Sequence, residues 1–250
     1  MMISSSRAER GAGMTSQQWG AALGRLAAAF VQTPVFLKHH SLTMTPARAR
    51  LLIAQKAINI RNRRDCWAAL FSRCPELPVR QKILEHEYEE LIEDEHSKYG
   101  HLDLTVRQAA AVGLSAEQVL NAEPLPITRA ICYAYLWYIH SHTWQESLAG
   151  MIANEMKNAS SPELAKHGGG GAEREARRWM EDLRLTEADV PDAVAHSKAD
   201  QKHGQMFLST LERYVAPEEE AKVLAAAQES LDLRALWYAG LTAVAEELKD

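Results

Sequence analysis

No window of this 250-residue chain alternates apolar and polar residues with period two, while apolar residues return at spacings of three and four in run after run. The absence of a strand pattern confines the chain to helices packed on helices. The first run starts near Ser16, with Ala21, Leu23, Leu26 and Phe30 in phase, and stops at Pro34. Thr45 followed by Pro46 is an N-cap and first-turn pair, opening a run that continues to Ser72 before Pro75. Pro78 opens an acidic helix, PVRQKILEHEYEELIEDEH, which Gly100 breaks before HLDLTVRQAAAVGL. Ser115 with Gln118 forms a capping box for a short segment ahead of Pro124 and Pro126. From Ile127 to Asn158 the chain is aromatic and apolar on most faces, as a core helix must be. The glycines at 168–171 make a flexible loop before AEREARRWMEDL. Two long helices follow, from Glu187 or Pro191 to Tyr214 and from Pro217 to Leu248. The pattern predicts a single all-α domain of about seven to nine helices over 15–250, behind a disordered leader over 1–14.

Composition narrows the function classes. The longest strongly apolar stretch, Leu26 to Val31, is far short of the roughly 20 residues that a bilayer crossing needs, so no membrane span is expected. The net charge of −5, with no basic stripe beyond Arg61, Arg63 and Arg64, excludes nucleic-acid binding by bulk electrostatics. Cys66, Cys74 and Cys132 show no paired framework, and the first residues carry no apolar signal segment; both suit a reducing cytoplasm. Ten histidines are the unusual count. His39, His40, His86 and His167 read as surface residues, and His96, His140 and His142 as neighbours of a site.

The stretch His196-Ser-Lys-Ala-Asp200-Gln-Lys-His203 holds the strongest chemical signal. At about 100° per residue its two imidazoles and one carboxylate leave the helix on one face, which is a metal site in outline. That donor mixture suits iron, manganese or zinc, whereas a solvated polar face is the plain alternative. Glu146 adds a carboxylate within the apolar run, where an unpaired charge is costly and a metal would supply a partner. His142, one turn earlier, would be the other partner. In the acidic helix Glu90, Asp94 and His101 fall within about 40° of one another, so periodicity does not choose between them. Glu93 and His96 have the E-x-x-H spacing of ferritin-like bundles, but the second copy such bundles need is only Asp200-x-x-His203.

From about Ala21 to Leu248 the chain resembles the haem-oxygenase-like diiron oxidases and oxygenases. The stretches YEELIEDEHSKYGHLDLTVRQAAAVGL, ESLAGMIANEM and AHSKADQKHGQ carry the resemblance. It implies a haem-oxygenase-like helical bundle with six metal ligands: Glu90, His101, Glu146, His196, Asp200 and His203, with Asp94 as the substitute for Glu90. It also implies two iron ions, O2 as co-substrate and an external reductant. The implied substrate is a small amine or amino-acid-like molecule, changed by N-oxygenation or by C–C cleavage, and the implied assembly is a homodimer. Gln145 stands where one self-sacrificing branch has tyrosine, so a tyrosine-consuming mechanism is not expected.

Three alternatives accompany this expectation. VQTP, RCPE, WQES and DQKHG resemble the cofactor-free quinone synthases of the same fold. ICYAY around Cys132 resembles the nucleophile segment of thiaminase-like hydrolases, although no matching Glu lies near Leu233 to Trp237. The third is a non-catalytic helical interaction protein whose six polar residues are all paired or on the surface.

Overall fold

A computed structural model of the chain describes residues 13–248 apart from His96. Most of the expected leader, 1–12, lies outside the described residues, as does His96. Of the leader's last two residues, Met14 is tied down, its N–H donating to Glu220 Oε1 at 2.5 Å.

Thr15 caps α1 (Ser16–Phe30) through a full capping box with Gln18. Pro34, expected as a terminator, also begins a new helix: it occupies the first turn of α2 (Pro34–Ser41), with Thr33 as N-cap. The long α3 (Pro46–Arg73) starts at Thr45 and Pro46, as their sequence predicts. Next come α4 (Leu77–Leu91), α5 (His101–Ala110) and α6 (Ala116–Leu120). The apolar run expected to be one helix is two, α7 (Pro126–Ser141) and α8 (Trp144–Met156), broken at His142 and Thr143. The remainder comprises α9 (Pro162–Ala165), α10 (Gly171–Leu183), α11 (Pro191–Met206), α12 (Leu208–Tyr214) and α13 (Glu220–Glu247). No strand occurs among the described residues, and the helical segments outnumber the seven to nine expected because runs break at turns.

All these helices share one apolar core. Its axis is α8, buried at every residue from Glu146 to Glu155 and packed by α1, α11 and α13. A helix with no solvent face can carry polar residues only where they find partners inside the protein. Among the described residues no single helix is long and apolar enough to cross a membrane.

Two glycine positions fix the geometry around this axis. Gly100 is the N-cap of α5, and a Cβ there would collide with the Leu91 carbonyl, so only glycine lets the start of α5 abut the end of α4. The run at 168–171 is a packed turn: Gly168 and Gly169 have φ of 90° and 94°, and a Cβ on Gly170 would lie 2.6 Å from the Ala159 carbonyl.

Candidate metal centre

The end of α4, the start of α5, the second half of α8 and α11 meet around one buried cluster of imidazoles and carboxylates. Glu90 is its hub. It belongs to three groups of potential ligands whose donor atoms lie within 4.8 Å of one another: with His86 and His203, with His101 and His196, and with Glu155, Asp200 and His203. Glu90 Oε1 lies 3.2 Å from His101 Nδ1 and 3.2 Å from His203 Nδ1. His101 Nδ1 is also 3.0 Å from His196 Nε2.

Each of these three imidazoles turns its second nitrogen to an outer carboxylate. His203 Nε2 is 3.0 Å from Glu89 Oε2, His196 Nδ1 is 3.3 Å from Asp192 Oδ1, and His101 Nε2 is 3.5 Å from Asp94 Oδ2. An imidazole tied on its outer side by a carboxylate has its ring orientation fixed and its inner nitrogen presented as a donor, the arrangement found around bound metals. Lys56 anchors one of the outer carboxylates, with Nζ 2.5 Å from Asp192 Oδ2.

Charge is concentrated here. Burial and the Glu155 charge raise the Asp200 carboxyl to about 6, and neither of its oxygens has a hydrogen-bond partner. Burial pushes the His203 imidazole down, but the hydrogen bond to Glu90 and the charges of Glu90 and Asp200 outweigh it and lift the pKa to about 9. Burial likewise opposes ionisation of Glu155, yet the Arg63 guanidinium, 2.5 Å away, brings it to about 2. Arg64 Nη1, 2.8 Å from Glu90 Oε2, helps to hold Glu90 well below the usual carboxylate range against its burial.

Of the six ligands expected, the structure brings five together: Glu90, His101, His196, Asp200 and His203. The sixth is corrected. Glu146 is the N3 residue of α8, where its carboxylate accepts from the Thr143 N–H at 2.8 Å and pairs with Lys222 at 2.9 Å. The carboxylate that α8 contributes is Glu155. Nine residues separate the two, about half a turn in phase, so they leave α8 on opposite faces. The pattern Thr143-x-x-Glu146 is a capping-box signature and marks a helix start rather than a helix middle. Asn154 and Lys157, which make the end of this helix look exposed in sequence, are both buried. Between the two candidate acidic residues, Glu90 enters every group, whereas Asp94 stands behind His101 and accepts from the Ser97 N–H at 2.6 Å.

The histidines also redistribute. His86, expected at the surface, is fully buried, held by Glu87 at 3.1 Å, with its ring 4.6 Å from that of His203. His39 is buried too, stacked on Tyr238 at 4.3 Å. His140 is exposed, and His142 pairs with Glu229 at 3.3 Å away from the cluster. Burial raises the Cys132 thiol, the opposite of what an activated nucleophile requires.

The donor set fits a metal pair. Three carboxylates and three imidazoles offer the oxygen and nitrogen ligands suited to iron or manganese, and a metal ion would partner the buried Asp200 oxygens, which accept no hydrogen bond from the described residues. A cavity of about 110 Å³ adjoins the cluster, bordered by Glu90, Glu155 and His196 on the side of the centre.

Comparison with known proteins identifies the fold and the family. The chain is 28% identical over 179 residues to the pyrroloquinoline-quinone synthase of Pseudomonas aeruginosa, an alignment covering 68% of this chain and 63% of that protein. The corresponding protein of Acinetobacter baumannii is 26% identical over 175 residues, with the same coverage. The chain thus spans less than two thirds of the length of these relatives. Among solved structures, a domain of unknown function with a haem-oxygenase-like fold from Shewanella denitrificans superposes with a TM-score of 0.70 at 17% identity, covering 93% of this chain and 94% of that one. A putative TenA-like thiaminase from Sulfolobus solfataricus superposes at 0.58 and 12% identity, covering 92% and 94%. The fold is therefore haem-oxygenase-like. Residues 50–235, which contain every member of the cluster, match the profile of a family described as iron-containing redox enzymes, and the chain belongs to that family.

Proposed function

We propose that this protein is a non-haem diiron oxygenase or oxidase that uses O2 to oxidise a small nitrogen-containing molecule, an amine or amino-acid-like compound, with electrons from an external reductant. The observation that carries this is the set of three imidazoles, His101, His196 and His203, each braced by an outer carboxylate and facing Glu90 inside a buried pocket. Glu90, His101 and His196 would hold one iron, and Glu155, Asp200 and His203 the other; Glu90 belongs to both groups of donors. Bound iron would supply O2 activation. The chain's own contribution is positional: α8 excludes water, Glu89, Asp94 and Asp192 fix ring orientation, and Arg63 and Arg64 keep Glu155 and Glu90 ionised. A second copy of the chain as partner, in a homodimer, belongs to the same proposal.

The test is oxygen consumption by anaerobically ferrous-loaded protein offered a panel of amines and amino acids. Acceleration by one compound, with an oxidised product, supports the proposal; indifference to every compound in protein that holds two irons counts against oxidation of this substrate class.

One observation favours a second reading, a quinone-synthase-like oxidase working without metal. The ion pairs Arg63–Glu155 and Arg64–Glu90 partly balance the cluster's charge by themselves. Full activity after exhaustive chelation would select it.

A further inference from the structure

The cavity beside the cluster has a second wall, made by the end of α8 with α10 and α13, that the metal proposal does not use. Lys157, Arg178 and Arg234 stand on it, only 2%, 8% and 6% exposed. Among the described residues none has a carboxylate within ion-pair distance, although the charges of Asp200 and Glu155 reach Lys157 and those of Glu175 and Asp182 reach Arg178 from farther off. Lys157 Nζ donates to Asn158 Oδ1 at 2.6 Å, and Arg178 Nη1 donates to the backbone carbonyls of His39 and Leu42. Arg234 donates to Asn59 Oδ1 at 2.8 Å and Asn154 Oδ1 at 3.2 Å. Amide and carbonyl oxygens satisfy hydrogen bonds but bring no counter-charge.

A buried cation without an anion is costly. The rings of Trp237 and Tyr135, 4.9 and 5.5 Å from the Arg234 guanidinium, offset part of that cost but bring no counter-charge. The other cations at this cavity are compensated: Lys56 by Glu175 and Asp192, Arg63 by Glu155, Arg64 by Glu87 and Glu90. The contrast locates the missing negative charge at Lys157, Arg178 and Arg234. Polar atoms without partners lie there as well, namely Arg178 Nε, Asn59 Nδ2 and both ring nitrogens of His40.

We infer that Lys157, Arg178 and Arg234 form an oxyanion subsite that binds an ionised carboxylate or phosphate group of the substrate. The rest of the molecule then extends along the cavity toward Glu90 and Glu155. This assignment rests on the proposed function for the word substrate, but the binding it describes does not need the metal. Trp179 and Trp237, which line the same cavity, provide the signal.

Chelator-treated protein is titrated with inorganic phosphate, with butyrate and with neutral butyramide, following tryptophan fluorescence. At least one of the two anions should bind saturably, more weakly at higher salt, and butyramide should not. Whichever anion binds identifies the head group as phosphate or carboxylate. Arg234→Gln and Lys157→Met should each weaken binding at least tenfold, and Arg234→Lys should recover part of it. Lys157→Met should also leave the metal-free Tm unchanged or raised, since it removes an uncompensated charge, whereas a purely structural lysine would lower it. Absence of anion binding in the wild type, or equal binding by Arg234→Gln and Lys157→Met, overturns the subsite. Because the titration is metal-free, that result is independent of iron content, and two bound irons without anion binding would overturn the subsite alone.

Discussion

Glu155 on α8 and Asp200 on α11 present carboxylate oxygens within 4.8 Å of each other in the interior, and neither Asp200 oxygen has a hydrogen-bond partner. Two buried carboxylates this close repel unless a proton or a cation joins them. The elevated Asp200 carboxyl, at about 6, is the protonated answer, and a metal ion is the cationic one. Glu155→Gln removes one charge and one ligand together. The variant is expected to retain at most one iron per chain after ferrous loading, measured by colorimetric iron assay on desalted protein; retention of two would remove Glu155 from the centre.

Glu146 provides the matched control. Its carboxylate closes the capping box of α8, so Glu146→Ala should lower stability by about 1 kcal/mol, the usual cost of a lost cap. Iron stoichiometry should be unchanged. Loss of iron in this variant with the helix intact by circular dichroism would restore Glu146 to the ligand set.

Arg64 keeps Glu90 ionised, but its guanidinium also occupies a carboxylate oxygen that a metal would use, so the two compete for Glu90. In Arg64→Gln the Glu90 carboxylate loses the guanidinium 2.8 Å away, so the metal-free Tm should fall while the rise in Tm on adding ferrous ion grows. Differential scanning fluorimetry with and without metal reads both. A metal-induced rise smaller than that of the wild type would mean that Arg64 supports metal binding instead of opposing it.

His203 makes one defined contribution to the pH dependence of the metal-free protein. Its folded pKa, about 9, lies above the ordinary 6.5, so its contribution is complete below pH 6.5 and is lost as pH rises through 9. The shift corresponds to at most about 3 kcal/mol. Asp200, also raised, acts in the same direction at lower pH, its contribution disappearing between about 4 and 6. Chelated wild type should therefore lose more stability between pH 6.5 and pH 9 than chelated His203→Gln in urea titrations. Metal loading, which takes the place of these protons, should reduce the difference. Identical profiles for the chelated wild type and His203→Gln would show that His203 does not hold its proton as described.

Much of the centre is legible in sequence because α11 is a regular helix: His196, Asp200 and His203 share a face by spacing alone. Glu155 is not legible in the same way. Its neighbours Asn154 and Lys157 look like a solvated helix end, yet they are polar because α8 ends against a polar cavity. His86 and His39 mislead for the same reason, since each sits beside charged or polar residues that are themselves buried or folded back. Periodicity reports which residues share a face, but not whether that face meets water or a buried site. The break at Thr143 was available in the T-x-x-E pattern, and reading it as a helix start moves the buried carboxylate away from Glu146.

Iron stoichiometry after anaerobic ferrous loading tests the two-metal centre most directly. Two irons per chain are expected in the wild type, and no more than one in Glu155→Gln. Wild-type protein that emerges from loading and desalting with no bound iron would contradict it.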